Sequence, residues 1–188
     1  MGLTRRLVDC LLEKYDFDLL PSQVVNQSKD MMLNAAAVSL AAAAQPEGQA
    51  ITEFIQEMQG NGTCTVIGRG MRTSPVFAAL ANGILVRLLD FDDEIIPLGS
   101  HPSCTVFPVV MALGEVHGYS GKSVIAAFAL GCEVASKVAA FGKQSDAGAE
   151  GIHPKHSRID VLAGTIGSAV ASALLLELDA PQFVHSLG

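Results

Sequence analysis

Leu88 to Cys104, LLDFDDEIIPLGSHPSC, gathers four carboxylates (Asp90, Asp92, Asp93 and Glu94) and then a histidine, His101, in a chain that is otherwise mostly apolar. Grouped acids raise one another's pKa, and a histidine titrates near neutrality, so together they can move protons at physiological pH. The acids follow an apolar helical pattern that should end close to them. The negative pole of the helix dipole lies there and disfavours each carboxylate by about 0.3–1 kcal/mol. A charged helix terminus is the plain alternative to a reactive site. If the helix runs one turn further, Asp90, Asp93 and Glu94 share a face through i, i+3 and i, i+4 spacing. Asp90, Asp93, Glu94 and His101 also make an oxygen-rich set of the kind that holds Mg²⁺ or Mn²⁺.

A second polar stretch, residues 142–160, carries His153-Pro154 and then Lys155, His156 and Arg158. Reactive groups tend to sit on loops held by rigid elements, and a cationic loop suits a polycarboxylate ligand. His117 precedes a helix-ending glycine and reads as a C-terminal cap contact; His185 reads as incidental. Ser120-Gly121-Lys122-Ser123 looks like the end of a phosphate-binding loop, but Val116 stands where that motif needs glycine and no strand precedes it. It reads as a helix cap and first turn.

The elements that must position these groups are helical. Apolar residues recur at helical spacing from Thr4 to about Tyr15, from Pro21-Ser22 to about Ala44, and through Ile51, Phe54, Ile55 and Met58. Thr63 to Gly68 is the one strand-like stretch. Ser74-Pro75 caps a helix that reaches the acid cluster. Further helices follow His101-Pro102-Ser103 to His117-Gly118, Ser120 to about Phe141, 161 to 177, and Pro181 onward. The fold class expected is all-α, with at most one short strand or hairpin near 63–68.

Hydrophobic residues make up 49% of the 188 and charged residues 16%, with a net charge of −7. A typical domain is about 25% charged, so part of the surface is expected to be covered by another subunit or by further chain. Abundant Ala and Gly suit close helix packing. There is no basic stripe, which argues against nucleic-acid binding. The uncharged run from Val161 to Leu176 is shorter than the roughly 18 residues that a membrane span needs. The four cysteines have no CxxC spacing and read as reduced thiols of a cytoplasmic protein.

NGILVRLLDFDD, HPSCTVFPVVMALGE, SGKSVIAAFALGCEVASKV, GIHP and GTIGSAVASALLLELD, in this order, resemble the MmgE/PrpD family of 2-methylcitrate dehydratase and cis-aconitate decarboxylase type lyases. The opening LPSQVVNQSKDMMLNAAAVSLAA resembles the family's start. The resemblance implies a single helical domain over 1–188 that dimerises, the N-terminal part of a two-domain lyase whose lid, with its catalytic lysines, is absent here. It implies a cofactor-free, metal-free site for a small polycarboxylate, with Asp90, His101 and His153 catalytic and Asp93, Glu94, Ser103, Lys155, His156 and Arg158 near the substrate. A non-catalytic helical dimer and a carboxylate–histidine metal site are the alternatives. Three departures stand out. Glu94 replaces a threonine of the decarboxylase, the stretch from Glu94 to His101 is one residue longer, and the loop after His153 is longer, so His156 competes with His153.

Overall fold

The computed structural model describes residues 2–58, 60–96, 100–146 and 157–188, with the backbone alone for 143–146 and 157–160. Eight helices occur among the described residues: α1 (Leu3–Lys14), α2 (Ser22–Ala43), α3 (Pro46–Glu57), α4 (Pro75–Leu88), α5 (Pro102–His117), α6 (Gly121–Asp146), α7 (Ser157–Leu175) and α8 (Ala180–Ser186). One antiparallel hairpin, β1 (Cys64–Val66) with β2 (Met71–Thr73), joins α3 to α4. The mostly helical class follows the sequence expectation. The hairpin's second strand lies beyond the stretch expected to be extended, and a 3-10 turn at Phe17–Leu19 was not foreseen. The polar stretch at 142–160 is shorter than expected, since α6 runs on to Asp146 and α7 begins at Ser157.

Local chemistry explains most helix ends. Ser74 Oγ accepts from Phe77 N, with Pro75 in the first turn. Ser120 Oγ accepts from Ser123 N at 3.1 Å, so SGKS is the start of α6, and Lys122 reaches Asp18 at 3.0 Å. Gly118 (φ 65°) closes α5 in the left-handed conformation, and its amide bonds Gly114 O. His117 stacks on Tyr119 there, with ring centroids 5.2 Å apart.

The main core lies where α5, α6 and α7 meet α2 and α4, around Phe128, Val86, Val106, Phe107, Val110 and Leu175. A second cluster joins α1 and α8 to α6 and α7 through Val8, Leu11, Val170, Leu174 and Phe183. A third seats α3 and the hairpin on α4 through Ala42, Ile55, Val66 and Leu85. Asn82 of α4 pins the hairpin by accepting from Ile67 N and donating to Thr65 O, each at 2.9 Å.

Glycines set the closest helix approaches. A Cβ on Gly131 of α6 would stand 2.9 Å from Gly167 O of α7, and one on Gly167 would stand 2.6 Å from Gly131 O. A Cβ on Gly164 of α7 would fall 2.7 Å from Thr105, and one on Gly83 of α4 would fall 3.1 Å from Cys104 O. The first turn of α5, just after His101, is therefore wedged between two glycine surfaces. Ser168 Oγ adds a 3.0 Å bond to Thr105 O.

By length and composition, Gly121–Gly142 of α6 could cross a membrane; the uncharged-run criterion passes over it because Lys122, Glu133 and Lys137 interrupt it. Fifty-six per cent of its most apolar window is buried within the fold. It packs as a core helix against α7, α5 and α2.

Candidate active site

α4 does not continue through the acid cluster. It ends at Leu88, and Asp90 takes a left-handed backbone conformation (φ 57°). That geometry is usual for glycine and less unfavourable for Asp or Asn than for other side chains. The shared helical face expected for Asp90, Asp93 and Glu94 is consequently not formed, and the reversal sends successive carboxylates in different directions. Asp90 stays on the surface, its side chain 74% exposed, paired with Arg87 one turn back. The Arg87 guanidinium, first by hydrogen bonding and then by its charge, holds the Asp90 carboxyl below the usual range.

Asp92 turns inward. Its side chain is 0% exposed and lies between two groups. Arg87 Nη1 donates to Oδ1 at 3.1 Å, and His101 Nδ1 lies 3.5 Å from Oδ2. That distance is at the long edge of hydrogen bonding. Neither Oδ2 nor Nδ1 has another hydrogen-bond partner among the described residues. The reactive-type atoms of Asp90, Asp92 and His101 all fall within 4.8 Å of one another. Arg87 thus supplies the cation between two carboxylates that would otherwise repel.

The loop is anchored at several points. Asn34 Nδ2 of α2 donates to Phe91 O at 3.3 Å, and Ile95 N donates to Ser100 O at 2.9 Å, which fixes the residue next to His101. His101 is the residue before α5, whose Pro102 occupies the first helical turn. The Cys104 thiol donates to His101 O at 3.1 Å. Burial, reinforced by the Asp92 charge, pushes the Cys104 thiol up to about 12, so it is a neutral donor and not a nucleophile.

Asp93 and Glu94 face elsewhere. They line a cleft of about 410 Å³ between α2 and α6, shared with Gln27, Ser28, Met31, Cys132 and Ser136. Burial pushes the Asp93 carboxyl up, and the nearby Asp92 charge adds to this; the Ser103 hydroxyl beside it pulls the other way but does not prevail. Neither Asp93 oxygen nor Ser103 Oγ completes a well-formed hydrogen bond among the described residues. Arg87 lines a separate groove of about 520 Å³, bounded by α4, α5 and α7.

Of the expected site residues, Asp90 and His101 converge, and Asp93, Glu94 and Ser103 lie beside them toward the α2–α6 cleft. The metal-ligand set expected from spacing changes membership: Asp92 converges with Asp90 and His101, and Asp93 and Glu94 do not. Arg158 lies in the first turn of α7, where only the backbone is described. His153, Lys155 and His156 lie outside the described residues. Sequence reasoning assigned no role to Asp92 or Arg87. Arg87 stood one helical turn before Asp90, a spacing that signals an ion pair. Helical spacing favoured Asp93 over Asp92, because it assumed that α4 continues through the cluster.

The fold and site define a mostly helical domain that presents an aspartate–histidine–arginine cluster at the junction of two helices. Residues 10–188 match the MmgE/PrpD N-terminal domain, and the chain belongs to that family. It is 32% identical over 164 residues to cis-aconitate decarboxylase of Mus musculus, covering 85% of this chain and 32% of that protein. The corresponding protein of Homo sapiens is 30% identical over 173 residues (89% and 35% coverage), and that of Aspergillus terreus 27% over 176 residues (91% and 35%). The chain spans about a third of the length of these curated relatives.

Proposed function

We propose that this chain is the helical domain of a lyase acting on a small polycarboxylate of the citrate or aconitate type, by dehydration or decarboxylation. The observation that carries this is the convergence of Asp90, Asp92 and His101 in a chain whose relatives are named cis-aconitate decarboxylases. Both reactions develop carbanion or enolate character beside a carboxylate. A positioned imidazole is suited to moving the proton, and such general acid–base catalysis contributes about 10²–10⁴-fold. In this reading His101 moves the proton, Asp90 balances charge at the rim, and His153 completes the catalytic set. Asp93, Glu94, Ser103, Lys155, His156 and Arg158 border the substrate. Burial shifts Asp93 toward its neutral form, which lessens the repulsion a polyanion would meet. Binding still needs cations beyond Arg87, Lys155 and Arg158, and a second, lid domain would supply them and exclude water. The functional unit is a homodimer that needs neither a metal nor an organic cofactor.

A second reading, a divalent-cation site, draws on the same 4.8 Å convergence. Arg87 weakens it, because its guanidinium already engages both carboxylates.

The experiment incubates cis-aconitate, citrate and 2-methylcitrate with the chain alone and with the chain fused to the lid domain of a family member, and follows products by chromatography. The expected result is no turnover alone and turnover in the fusion that His101→Ala abolishes. Turnover insensitive to His101→Ala, or none in a folded fusion, would overturn the lyase reading. Turnover by the chain alone, lost in His153→Ala, would overturn the need for a lid.

A further inference from the structure

We infer that Asp92 is a positioning residue that holds His101 in its Nδ1–H tautomer, leaving Nε2 unprotonated as the atom that exchanges a proton with substrate. The inference rests on the lyase reading for what Nε2 does, but the tautomer itself follows from the geometry of this chain. Asp92 Oδ2 and His101 Nδ1 lie 3.5 Å apart, and neither has another partner among the described residues. The carboxylate is an acceptor only, and its side chain has no exposure to water. With the proton on Nε2, the Nδ1 lone pair would face a buried, acceptor-only oxygen, leaving two buried polar atoms unsatisfied. With the proton on Nδ1, one charge-assisted hydrogen bond satisfies both. A bond from one ring nitrogen to a carboxylate is the general means of selecting what the other nitrogen does.

Arg87 makes the choice directional. It donates to Asp92 Oδ1 at 3.1 Å, which leaves Oδ2 for the imidazole. It also sets a positive charge beside a carboxylate whose side chain is cut off from water. The Cys104 thiol fastens His101 O from the other side, so the ring is approached from a fixed backbone. Asp90 is exposed and paired to Arg87 at the surface, and is placed to balance charge without setting the tautomer. Once His101 accepts a proton at Nε2, the Asp92 carboxylate also stabilises the imidazolium that forms.

The isosteric change Asp92→Asn tests this with little alteration of volume. Arg87 can only donate, so the Asn oxygen turns to Arg87 and the amide NH₂ faces His101. Nδ1 must then accept, and the proton moves to Nε2. The measurement is a two-bond ¹H–¹⁵N correlation spectrum of the ¹⁵N-labelled full chain at about pH 8, where an ordinary imidazole is neutral. The His101 pattern is identified by its disappearance in His101→Gln. The expected result is the Nδ1–H pattern in the native chain, loss of that pattern to Nε2–H in Asp92→Asn, and retention in Asp90→Asn. An Nε2–H pattern in the native chain would overturn the inference, and so would an Nδ1–H pattern that survives Asp92→Asn. The native spectrum decides the first point even if the variant does not fold. No substrate is involved, so failure of the lyase reading leaves this result standing. In the lid fusion, Asp92→Asn should lower kcat with KM little changed. A purely structural role would move KM and stability together and leave the tautomer alone.

Discussion

Gly167→Ala tests whether the crossing of α6 and α7 is set by backbone contact. The added methyl would stand 2.6 Å from Gly131 O and 2.9 Å from the Cβ of Ala135. Unstrained carbon contacts lie at about 3.5–4.0 Å, so the helices must part by roughly 0.5–1 Å at the seam, a gap that forfeits about a quarter to a half of each neighbouring contact. The obstacle is a helix carbonyl, which cannot rotate aside. Overpacking of this kind costs about 1–3 kcal/mol, and the greater helix propensity of alanine returns about 1 kcal/mol. Gly114→Ala is the matched control. It also lies inside a helix, but its Cβ would meet only the Val124 Cγ2 methyl, at 3.1 Å. Gly167→Ala should therefore be less stable than Gly114→Ala by about 1–3 kcal/mol. For a chain of this size each kcal/mol lowers the melting temperature by about 2–4 °C. The chain has no Trp, so far-UV circular dichroism in urea and thermal melts is the assay. If Gly167→Ala equals or exceeds Gly114→Ala in stability, the seam is not close-packed and backbone contact does not set the crossing of α6 and α7.

The raised Asp93 pKa makes a signed prediction: the fold prefers the neutral carboxyl, so its contribution to stability is complete below the unfolded value near pH 4 and is lost as pH rises through the folded value. Asp93→Asn should therefore stabilise the chain at neutral pH, with the gain over the native protein vanishing toward pH 4; urea midpoints across that range measure it, and a gain that grows in acid contradicts it. Asp90→Gly relieves the left-handed conformation at φ 57° and removes only an exposed pair. Its melting temperature should match or exceed the native value while turnover of the lid fusion falls; a lower melting temperature counts against the strain reading. Val76, Leu80 and Ile84 expose one apolar stripe of α4 beside further apolar groove, so light scattering at micromolar concentration should report a dimer mass. A monomer mass defeats that expectation.

Helix positions were legible because their signals are local. The Ser74-Pro75 start, the Ser120 cap, the His117-Gly118 stop and the apolar spacing between them each act over three or four residues, and hydrogen bonds within one turn are enough to enforce them. Met71–Thr73 was less legible, since a two-stranded hairpin owes its stability to what lies beneath it, here Asn82 of α4. The order of family motifs carried the family, and the concentration of acids and His101 in one short stretch marked where chemistry belongs.

Which acid does what was decided by tertiary structure. Asp92 and Asp93 are chemically identical neighbours, and the helical spacing that grouped Asp93 with Asp90 holds only if α4 continues, whereas it ends at Leu88. The chain reversal at Asp90 directs Asp92 to Arg87 and His101, and Asp93 to Ser103 and the α2–α6 cleft. That sorting depends on α5 being held by Gly83 and Gly164 at the distance that brings His101 back beside the end of α4. Propensity and periodicity are sums over adjacent residues. Burial, ion pairing and the choice of a histidine tautomer depend on what three separate helices place at one point.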